Sequence, residues 1–338
     1  MSKELLFGKT LEELKHTVLQ ADLPAFTAIQ LSQWLYKKKV LNISEITNLS
    51  KKAREMLIKQ YDIGISHPLK EQQSQDGAKK YLFSVENGKF VESAYIPENN
   101  RNTLCVSSQS GCKMKCVFCM TGKHGFQSNL TAGEIINQIV SIPESETLTN
   151  VVYMGMGEPL DNYEEVLKSI KILTSEWGFG WSPRRINLST IGVIPALKRI
   201  IEESEVHIAI SLHSPFHDER KSLIPIEDKY PVTEVIDVIR KYDFGRQRRV
   251  SFEYILFKDL NDTPHHVKGI TKLLNGLRCR INLIKFHSIN EESLHGSSHE
   301  KAEWFAEQLN NKDFTTTIRR SRGEDIKAAC GQLAAERR

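Results

Sequence analysis

The chain has 338 residues, of which 40% are hydrophobic and 26% are charged, and its formal net charge is +4. This composition is ordinary for a folded enzyme with one large domain and a smaller one attached, and it excludes a disordered or fibrous protein. No run approaches the ~18 apolar residues of a membrane span and no signal peptide opens the chain, so we expect a cytoplasmic protein without a membrane partner.

The first 65 residues are predicted to form a small helical domain. Hydrophobic residues recur at helical spacing at Leu11, Leu14 and Val18, and again at Leu31 and Leu35. The domain ends before a stretch of alternating residues that favours strands.

Basic runs occur at several places in the chain. Residues 37–39 and 51–54 lie in the helical domain near Trp34, and residues 246–249 and 319–322 lie further along. Each run suits contacts with the phosphate groups of a nucleic acid, and each is equally consistent with a solvated face. A net charge of +4 does not decide between these interpretations.

Residues 66–97 are predicted to form a linker that contains a β-hairpin. Alternating runs over 80–85 and 89–96 flank Asn87-Gly88, and an Asn-Gly pair in that position is a strong hairpin signal. Glu92 falls on the apolar face of the second strand, where an ionised carboxylate is costly without a partner. It is therefore either a base poised for catalysis or a structural residue in a salt bridge.

From residue 98 to residue 338, short β-branched runs alternate with amphipathic helical segments. Strands are predicted near residues 103–108, 150–154, 185–190, 206–212, 249–257, 279–286 and 314–319. Helices are predicted near residues 131–141, 164–174, 195–203, 232–242, 264–274 and 299–310. Six βα units in succession predict an α/β fold with a parallel sheet that curls, and in such folds ligands gather at the carboxyl ends of the strands.

Three cysteines follow the first of these strands in close succession, at Cys112, Cys116 and Cys119. They supply three thiolates to one metal centre, and an iron–sulfur cube held by three cysteines keeps one iron open to bind a substrate or cofactor. A structural zinc site is the alternative, and it needs a fourth ligand such as Cys105 or His124.

Polar residues and glycines follow most of the other predicted strands. They are Gly157 and Glu158 after the second strand, Ser189 at the end of the third, Ser211, Leu212 and His213 at the end of the fourth, and His287 after the sixth. Because the carboxyl ends of parallel strands meet at one edge, we predict that these residues form a cofactor-binding rim. A carboxylate such as Glu158 is suited to accept hydrogen bonds from an ammonium group of the ligand.

Three further cysteines stand apart from the cluster. Cys105 lies on the strand that leads into it, and Cys330 lies near the C-terminus before Gly331. The glycine suggests a turn with an accessible thiol at Cys330. Cys279 is interpreted as a small buried hydrophobic residue.

Taken together, these motifs resemble the RlmN/Cfr family of radical S-adenosylmethionine (radical SAM) RNA methyltransferases. The matching stretches are residues 95–97, 104–109, 111–112, 154–160, 189–190, 211–215 and 328–333. The resemblance implies a partial (βα)6 radical SAM barrel, preceded by an N-terminal helical domain that engages RNA and a linking β-hairpin.

The resemblance also implies a mechanism with two SAM molecules per turnover. The first methylates Cys330; the second, bound by a 4Fe-4S cluster on Cys112, Cys116 and Cys119, is cleaved to a radical that takes hydrogen from the methyl group. The resulting methylene radical adds to an adenine carbon, Cys105 resolves the protein–RNA crosslink by a disulfide with Cys330, and Glu92 accepts a proton.

The resemblance assigns SAM binding to the rim residues named above. His287 stands where this family usually has asparagine, and a histidine can still donate or accept one hydrogen bond there. The run 319–326 resembles the branch that methylates carbon 2 of adenosine more than the branch that methylates carbon 8. The expected substrates are 23S rRNA, at the peptidyl transferase centre, and tRNA, 3′ of the anticodon. We further expect an electron donor such as flavodoxin and a monomeric enzyme.

Overall fold

The structure is a computed structural model that describes residues 3–245, 247–288 and 294–334. Within these residues the chain folds into a helical N-terminal region, a β-hairpin and a curled sheet covered by helices. This is the α/β architecture that the alternating pattern predicts.

The N-terminal region is helical, as predicted. Its elements are β1 (Glu4–Leu5), α1 (Leu11–Gln20), α2 (Thr27–Ser32), α3 (Lys51–Gln60) and β2 (Tyr61–Asp62). Thr10 caps α1, since its hydroxyl accepts from the Glu13 amide while the Glu13 carboxylate accepts from the Thr10 amide. The region shares its apolar core with Ala132, Ile136 and Ile172 of the following part of the chain, which fixes it against the barrel helices.

The predicted hairpin is present and has a third strand. Its strands are β3 (Lys70–Gln73), β4 (Lys79–Val85) and β5 (Lys89–Glu98), all antiparallel. Asn87 adopts a φ of 61° at the turn between β4 and β5, a conformation that asparagine tolerates better than most residues. The second hairpin strand, β5, then pairs with the first barrel strand, so the hairpin extends the main sheet.

The described residues place ten strands in the main sheet. The parallel strands are β6 (Arg101–Cys105), β9 (Asn150–Tyr153), β10 (Ile186–Thr190), β11 (His207–Ser211), β12 (Val250–Leu256), β13 (Arg280–Lys285) and β14 (Thr315–Ile318). The order of all ten across the sheet is β14-β13-β12-β11-β10-β9-β6-β5-β4-β3. The helices that connect them are α5 (Ala132–Val140), α6 (Tyr163–Thr174), α7 (Ile194–Glu203), α9 (Val232–Arg240), α10 (Pro264–Leu274) and α11 (His299–Asn310). These are the six predicted βα units followed by a seventh parallel strand.

Short elements interrupt this alternation where chemistry is expected. They are β7 (Gln109–Ser110), α4 (Met120–His124), β8 (Ser128–Asn129) and α8 (His217–Leu223). The cysteine loop lies between β7 and α4, directly above the carboxyl end of β6.

A continuous apolar core fills the space between the sheet and its helices. With that core closed, the irregular segments at the carboxyl ends of the parallel strands are left to form a pocket. Among the described residues, no helix is both long and apolar enough to cross a bilayer. The division of the chain at residues 65 and 97 stays a prediction.

Candidate active site and cofactor pocket

The three clustered cysteines lie on one tight loop. The amide of Cys119 donates to the carbonyl of Cys116 at 3.2 Å, and Lys115 between the first two cysteines has a φ of 55°. The aromatic ring of Phe118 anchors the loop, because it packs at 4.9 Å from the His213 ring and is 9% exposed. The aromatic residue before the third cysteine therefore fixes the loop against the end of β11.

The thiols of this loop are enclosed. Burial raises the pKa of Cys112 to about 12 and raises the pKa of Cys116 well above its ordinary value. In the described parts of the chain, no three His, Cys, Asp or Glu side chains converge as tightly as one metal ion requires. An all-sulfur set of three thiols, each of which binds a different iron, fits an iron–sulfur cube without such convergence.

One pocket of about 240 Å³ collects most of the predicted site. Its lining includes the residues expected from the sequence: Cys105, Cys112, Cys116, Cys119, Gly157, Glu158, Ser189, Ser211, His213, His287 and Cys330. Residues from β6, the cysteine loop, the ends of four other strands and the C-terminal segment thus meet in one space.

Two predicted site residues do not line this pocket. Leu212 is 0% exposed, and its side chain lies in the main apolar core. Its main chain is engaged as well: the amide donates to the Glu253 carbonyl at 2.9 Å, and the carbonyl accepts from Arg220 Nε at 3.0 Å. The other residue is Glu92, which lies beneath the C-terminal segment.

Glu92 is buried and paired. Its carboxylate accepts from Lys80 Nζ at 3.1 Å and from the amide of Ala334 at 2.9 Å. Of the two interpretations that the sequence left open for Glu92, the salt bridge is present. The assignment of Glu92 as a proton acceptor stays a prediction, and Lys80 is a partner that no sequence pattern indicated.

The glycine-rich turn after β9 is shaped by the protein itself. Gly157 has a φ of 97°, and a Cβ there would meet the Gln109 side chain at 2.6 Å; a Cβ on Gly155 would meet the Val106 carbonyl at 2.7 Å. These glycines let the turn pack against the segment that precedes the cysteine loop. In the described residues the turn therefore approaches the backbone that follows β6 closely.

Glu158 is a buried carboxylate at the base of the pocket, 4% exposed. It accepts from the Thr190 hydroxyl at 2.6 Å and from the amides of Leu160 and Ile191 at 3.1 and 3.0 Å. Burial nevertheless raises its pKa to about 7, and these hydrogen bonds lower it only in part. A cationic ligand group in the pocket would favour the ionised form.

The strand-end histidines are held by the protein. His213 has a φ of 55°, its Nδ1 accepts from the Ile255 amide at 3.0 Å, and burial lowers its pKa to about 3. It is therefore neutral at physiological pH. His287 is 4% exposed, with Nε2 at 2.6 Å from Ser321 Oγ and Nδ1 at 3.1 Å from a Glu324 carboxylate oxygen. His287 thus joins the end of β13 to the C-terminal segment as well as facing the pocket.

The C-terminal segment lies across the cysteine loop. The Met120 amide donates to the Gly331 carbonyl at 2.8 Å, and the Thr121 hydroxyl donates to the Leu333 carbonyl at 2.7 Å. Gly331 has a φ of 83°, and a Cβ there would approach the Phe118 carbonyl at 3.0 Å. The glycine therefore permits the close turn that presents Cys330 to the pocket, as the sequence suggested.

Cys105 and Cys330 line the same pocket although 225 positions separate them. Burial raises the pKa of Cys105 far above its ordinary value, and the neighbouring Cys330 contributes to the rise. Cys330 opens towards the pocket, and enclosure raises its pKa while the nearby Arg319 opposes this rise. Both sulfurs are free thiols. Cys279 is half-buried and packs beside the main core, with a pKa raised to about 12 by burial.

Arg319 and Arg220 organise the pocket in ways that the sequence did not reveal. Arg319 donates from Nη2 to Glu253 Oε1 at 3.2 Å inside the barrel, although its position in a basic run suggested either a phosphate contact or a solvated residue. Arg220 is 0% exposed, pairs with Glu227 and donates to the carbonyls of Ile191 and Ser211. It therefore ties together the segments that follow β10 and β11.

Comparisons with known proteins agree with this arrangement. Residues 106–270 match the profile described as the radical SAM superfamily, and residues 5–63 match the ribosomal RNA large subunit methyltransferase N-terminal domain. The chain is 55% identical to the probable dual-specificity RNA methyltransferase RlmN of Parabacteroides distasonis over 99% of this chain and 97% of the relative. It is 41% identical to the dual-specificity RNA methyltransferase RlmN of Marinobacter nauticus, over 91% and 86% of the two chains.

A solved structure supports the same conclusion. A radical SAM methyltransferase from Sphaerobacter thermophilus superposes with a TM-score of 0.92 at 37% identity and covers 98% of this chain and 100% of its own. The fold, the two profiles and the full-length relatives show that this chain belongs to the RlmN family of radical SAM methyltransferases.

Proposed function

We propose that this protein methylates carbon 2 of adenosine in 23S rRNA, at the peptidyl transferase centre, and in tRNA, 3′ of the anticodon. The relatives at 52–55% identity carry the name probable dual-specificity RNA methyltransferase RlmN. The observation that carries the proposal is the meeting of Cys105, Cys330 and the three-cysteine loop in one pocket. A radical enzyme without a methyl carrier would need only the loop.

The residues of the pocket fit the two cofactors that the superfamily implies. Cys112, Cys116 and Cys119 would hold one 4Fe-4S cluster, and Gly157, Glu158, Ser189, Ser211, His213 and His287 would hold SAM, of which two are consumed per turnover. When bound, the cluster supplies the electron for reductive cleavage of SAM. Glu158 would accept from the ligand's ammonium group, because its buried carboxylate gains most from a cationic partner.

The chain itself supplies the methyl carrier and the group that releases the product. Cys330 takes a methyl group on its sulfur, and the turn at Gly331 directs that sulfur into the pocket. Cys105 attacks the sulfur of Cys330, and the disulfide forms as the bond from that sulfur to the crosslinking carbon breaks. The carbon keeps the electron pair and takes a proton, which makes it the methyl group of the released RNA. Arg319 favours the thiolate of Cys330, since its positive charge opposes the rise in pKa that burial causes.

Glu92 is assigned the role of proton acceptor. Lys80 and the Ala334 amide hold its carboxylate in place, next to the segment that carries Cys330. These contacts position the carboxylate and disfavour its random movement. We place the enzyme in the cytoplasm as a monomer that receives electrons from a donor such as flavodoxin.

Mass spectrometry of RNA from a strain that lacks the gene tests the proposal. We expect 2-methyladenosine to disappear from 23S rRNA and tRNA and to return when the gene is restored. Full retention of 2-methyladenosine would refute the proposal, and 8-methyladenosine as the product of the purified enzyme would assign it to carbon 8 instead. Anaerobic purification adds a check: stoichiometric zinc without iron and sulfide would support a noncatalytic RNA-binding protein.

A further inference from the structure

A second concave site lies at the opposite end of the barrel from the cysteine pocket. It is a cleft of about 850 Å³ where β10, β12 and β13 begin, and its lining includes Arg184, Arg249, Arg278 and Arg280. We call these four residues and the space between them the basic cleft. Since parallel strands point the same way, a site at their amino ends faces away from the site at their carboxyl ends.

Two other arginines at this cleft have structural roles. Arg240 donates to the carbonyl of Leu273 in the last turn of α10 at 2.9 Å, and to the carbonyl of Asn275 directly after that helix at 2.8 Å. Arg248 donates to the carbonyls of Ile201 and Val206 around the end of α7. These side chains satisfy carbonyl groups that a helix end leaves unpaired. Of the predicted basic run 246–249, Arg248 is therefore structural, and Arg246 lies outside the described residues.

Three residues of the basic cleft have no such partner. Arg184, Arg278 and Arg280 are exposed, and none of their side chains makes a hydrogen bond or ion pair with another described residue. Among the described residues that line the cleft, Asp243 carries the one carboxylate, and it accepts from the Gly245 amide at 2.8 Å within its own turn. The cleft thus gathers cations without a matching number of anions.

Arg249 faces a buried histidine that cannot satisfy it. His207 Nδ1 lies 3.0 Å from the Arg249 amide, while its Nε2 lies 3.3 and 3.2 Å from the guanidinium nitrogens of Arg249. Burial and four surrounding arginines, Arg249 foremost, lower the pKa of His207 to about 4, so the ring is neutral. A neutral imidazole has one lone pair to offer.

The lone pair of the His207 ring, on Nδ1, accepts from the main-chain amide of Arg249. An unpaired buried amide is costly, whereas the Arg249 guanidinium is exposed and can turn to another acceptor. The proton of the ring is then on Nε2, and the guanidinium meets a donor instead of an acceptor. Arg249 is therefore left without an acceptor among the described residues, and its exposed guanidinium is available to a bound anion.

We propose that the basic cleft binds phosphate groups of the RNA substrate at a distance from the reacting adenine. This inference rests on the proposed function and adds a second contact region to it. Guanidinium groups match phosphate oxygens in pairs, and a cluster of like charges is stabilised when a polyanion replaces its counterions. The seven residues of β12 span roughly 23 Å, so the RNA must be large enough to reach from one end of the barrel to the other.

Binding of two RNAs to the reconstituted enzyme tests this proposal. The probes are a full-length tRNA that carries the target adenosine and its isolated anticodon stem-loop, which lacks the other arms of the tRNA. The variant is Arg249→Gln/Arg280→Gln, and the matched control is Lys198→Gln/Lys268→Gln, which removes the same charge from exposed positions on the outer helices α7 and α10. Affinities are measured over a range of salt concentrations, and thermal unfolding verifies that each variant is folded.

We expect the arginine variant to bind the tRNA about 30-fold more weakly at 0.1 M salt. The log of the affinity falls with the log of the salt concentration, and loss of two phosphate contacts makes this slope about 1.5 less steep. Over the tenfold change from 1 M to 0.1 M salt, a slope difference of about 1.5 corresponds to the roughly 30-fold difference in affinity. Its affinity for the stem-loop, and both affinities of the lysine control, should stay within about twofold of wild type. Methylation of the stem-loop at saturating concentration should be unchanged.

Three outcomes would overturn the inference. In the first, the arginine variant binds the tRNA with the affinity and the salt slope of wild type. In the second, it loses affinity for the tRNA and for the stem-loop equally. In the third, inorganic phosphate raises the melting temperature of wild type and not of the variant while RNA binding is unchanged, which indicates a small-anion site. If wild type methylates neither RNA, the proposed function fails, and the binding comparison still decides the inference.

Discussion

The buried pair between Lys80 and Glu92 gives a prediction whose size follows from the structure. The Nζ and Oε1 atoms are 3.1 Å apart, and the two side chains are 10% and 7% exposed. Lys80 also reaches the Lys327 carbonyl at 3.5 Å, and the Ala334 amide donates to Glu92. The pair therefore fixes two points of the segment that carries Cys330.

Replacement of Lys80 by methionine removes one charge and leaves the other buried. Breaking a buried pair in this way costs ~3–5 kcal/mol. Protonation of a free glutamate at pH 7 costs about 3.7 kcal/mol. This value is the upper limit of the loss in stability, because a buried carboxylate without a partner can become neutral by taking a proton. We expect a loss of about 3 kcal/mol in the free energy of unfolding. The double variant Lys80→Met/Glu92→Leu should recover most of it, since neither charge remains.

Urea unfolding of the reconstituted protein at pH 7 measures these values. Lys79→Met is the matched control, because Lys79 lies next in the same strand and pairs with Glu71 and Glu144 in a more exposed setting, at 20% side-chain exposure. It should cost at most about 1 kcal/mol. A loss below 1 kcal/mol for Lys80→Met, with additive effects in the double variant, would refute the reasoning.

The same variants separate the two interpretations of Glu92. If Glu92 accepts a proton in the reaction, the double variant regains stability and remains inactive. If activity returns together with stability, Glu92 is a structural residue only, and its assignment as proton acceptor is wrong. Methylation of a tRNA substrate by the refolded variants provides the measurement.

Three further predictions concern single residues. Cys105→Ala removes the thiol that we propose resolves the crosslink at Cys330, so we expect the purified variant to carry covalently attached RNA. Absence of this adduct under turnover conditions would count against the two-cysteine mechanism. Glu158→Gln removes the carboxylate that we propose accepts from the SAM ammonium group. It should weaken SAM binding about 10- to 100-fold by calorimetry, since a hydrogen bond to a charged group contributes about 1.5–3 kcal/mol; unchanged affinity would place the ammonium group elsewhere. His207 has a folded pKa of about 4, below the ordinary 6.5, so the unfolded chain binds more protons in this range. The contribution of neutral His207 to the free energy of unfolding is complete above pH 6.5. As the pH decreases, this free energy should fall by about 1.4 kcal/mol per pH unit, which amounts to about 2 kcal/mol at pH 5. His207→Asn should flatten this dependence, whereas His16→Asn at an exposed position should not.

The barrel could be predicted from the sequence because its signals are local. The predicted strand near 150–154 is Asn150–Tyr153, and the predicted helix 264–274 is Pro264–Leu274. Strands of four to seven residues and the amphipathic helices between them can be recognised from the hydrophobic pattern of a short stretch of sequence. Once the strands are in place, the parallel topology brings their carboxyl ends together, and most of the predicted rim follows.

The contacts that shape the pocket were not predictable in the same way. Lys80 meets Glu92 across a strand pair, and Arg319 meets Glu253 across the inside of the barrel. A lysine in a strand and an arginine in a basic run have the same local sequence whether they are solvated or buried. The prediction for Leu212 failed for a local reason. The motif included it with Ser211 and His213, but side chains alternate along a strand, and this alternation turns Leu212 into the core.

The backbone around the two isolated thiols determines which of them can move. Cys105 is the last residue of β6 and lies in register with Ala94 of β5 and Val152 of β9, so strands pair with it on both sides. Cys330 lies in residues 319–334, where the structure has turns and no helix or strand. Side-chain and loop hydrogen bonds hold this segment, among them those to Met120 and Thr121. Such contacts break at a small fraction of the cost of opening a central strand. If a disulfide joins the two sulfurs, Cys330 is therefore the one that travels, and the Lys80–Glu92 pair, which holds the same segment, limits how far it can go.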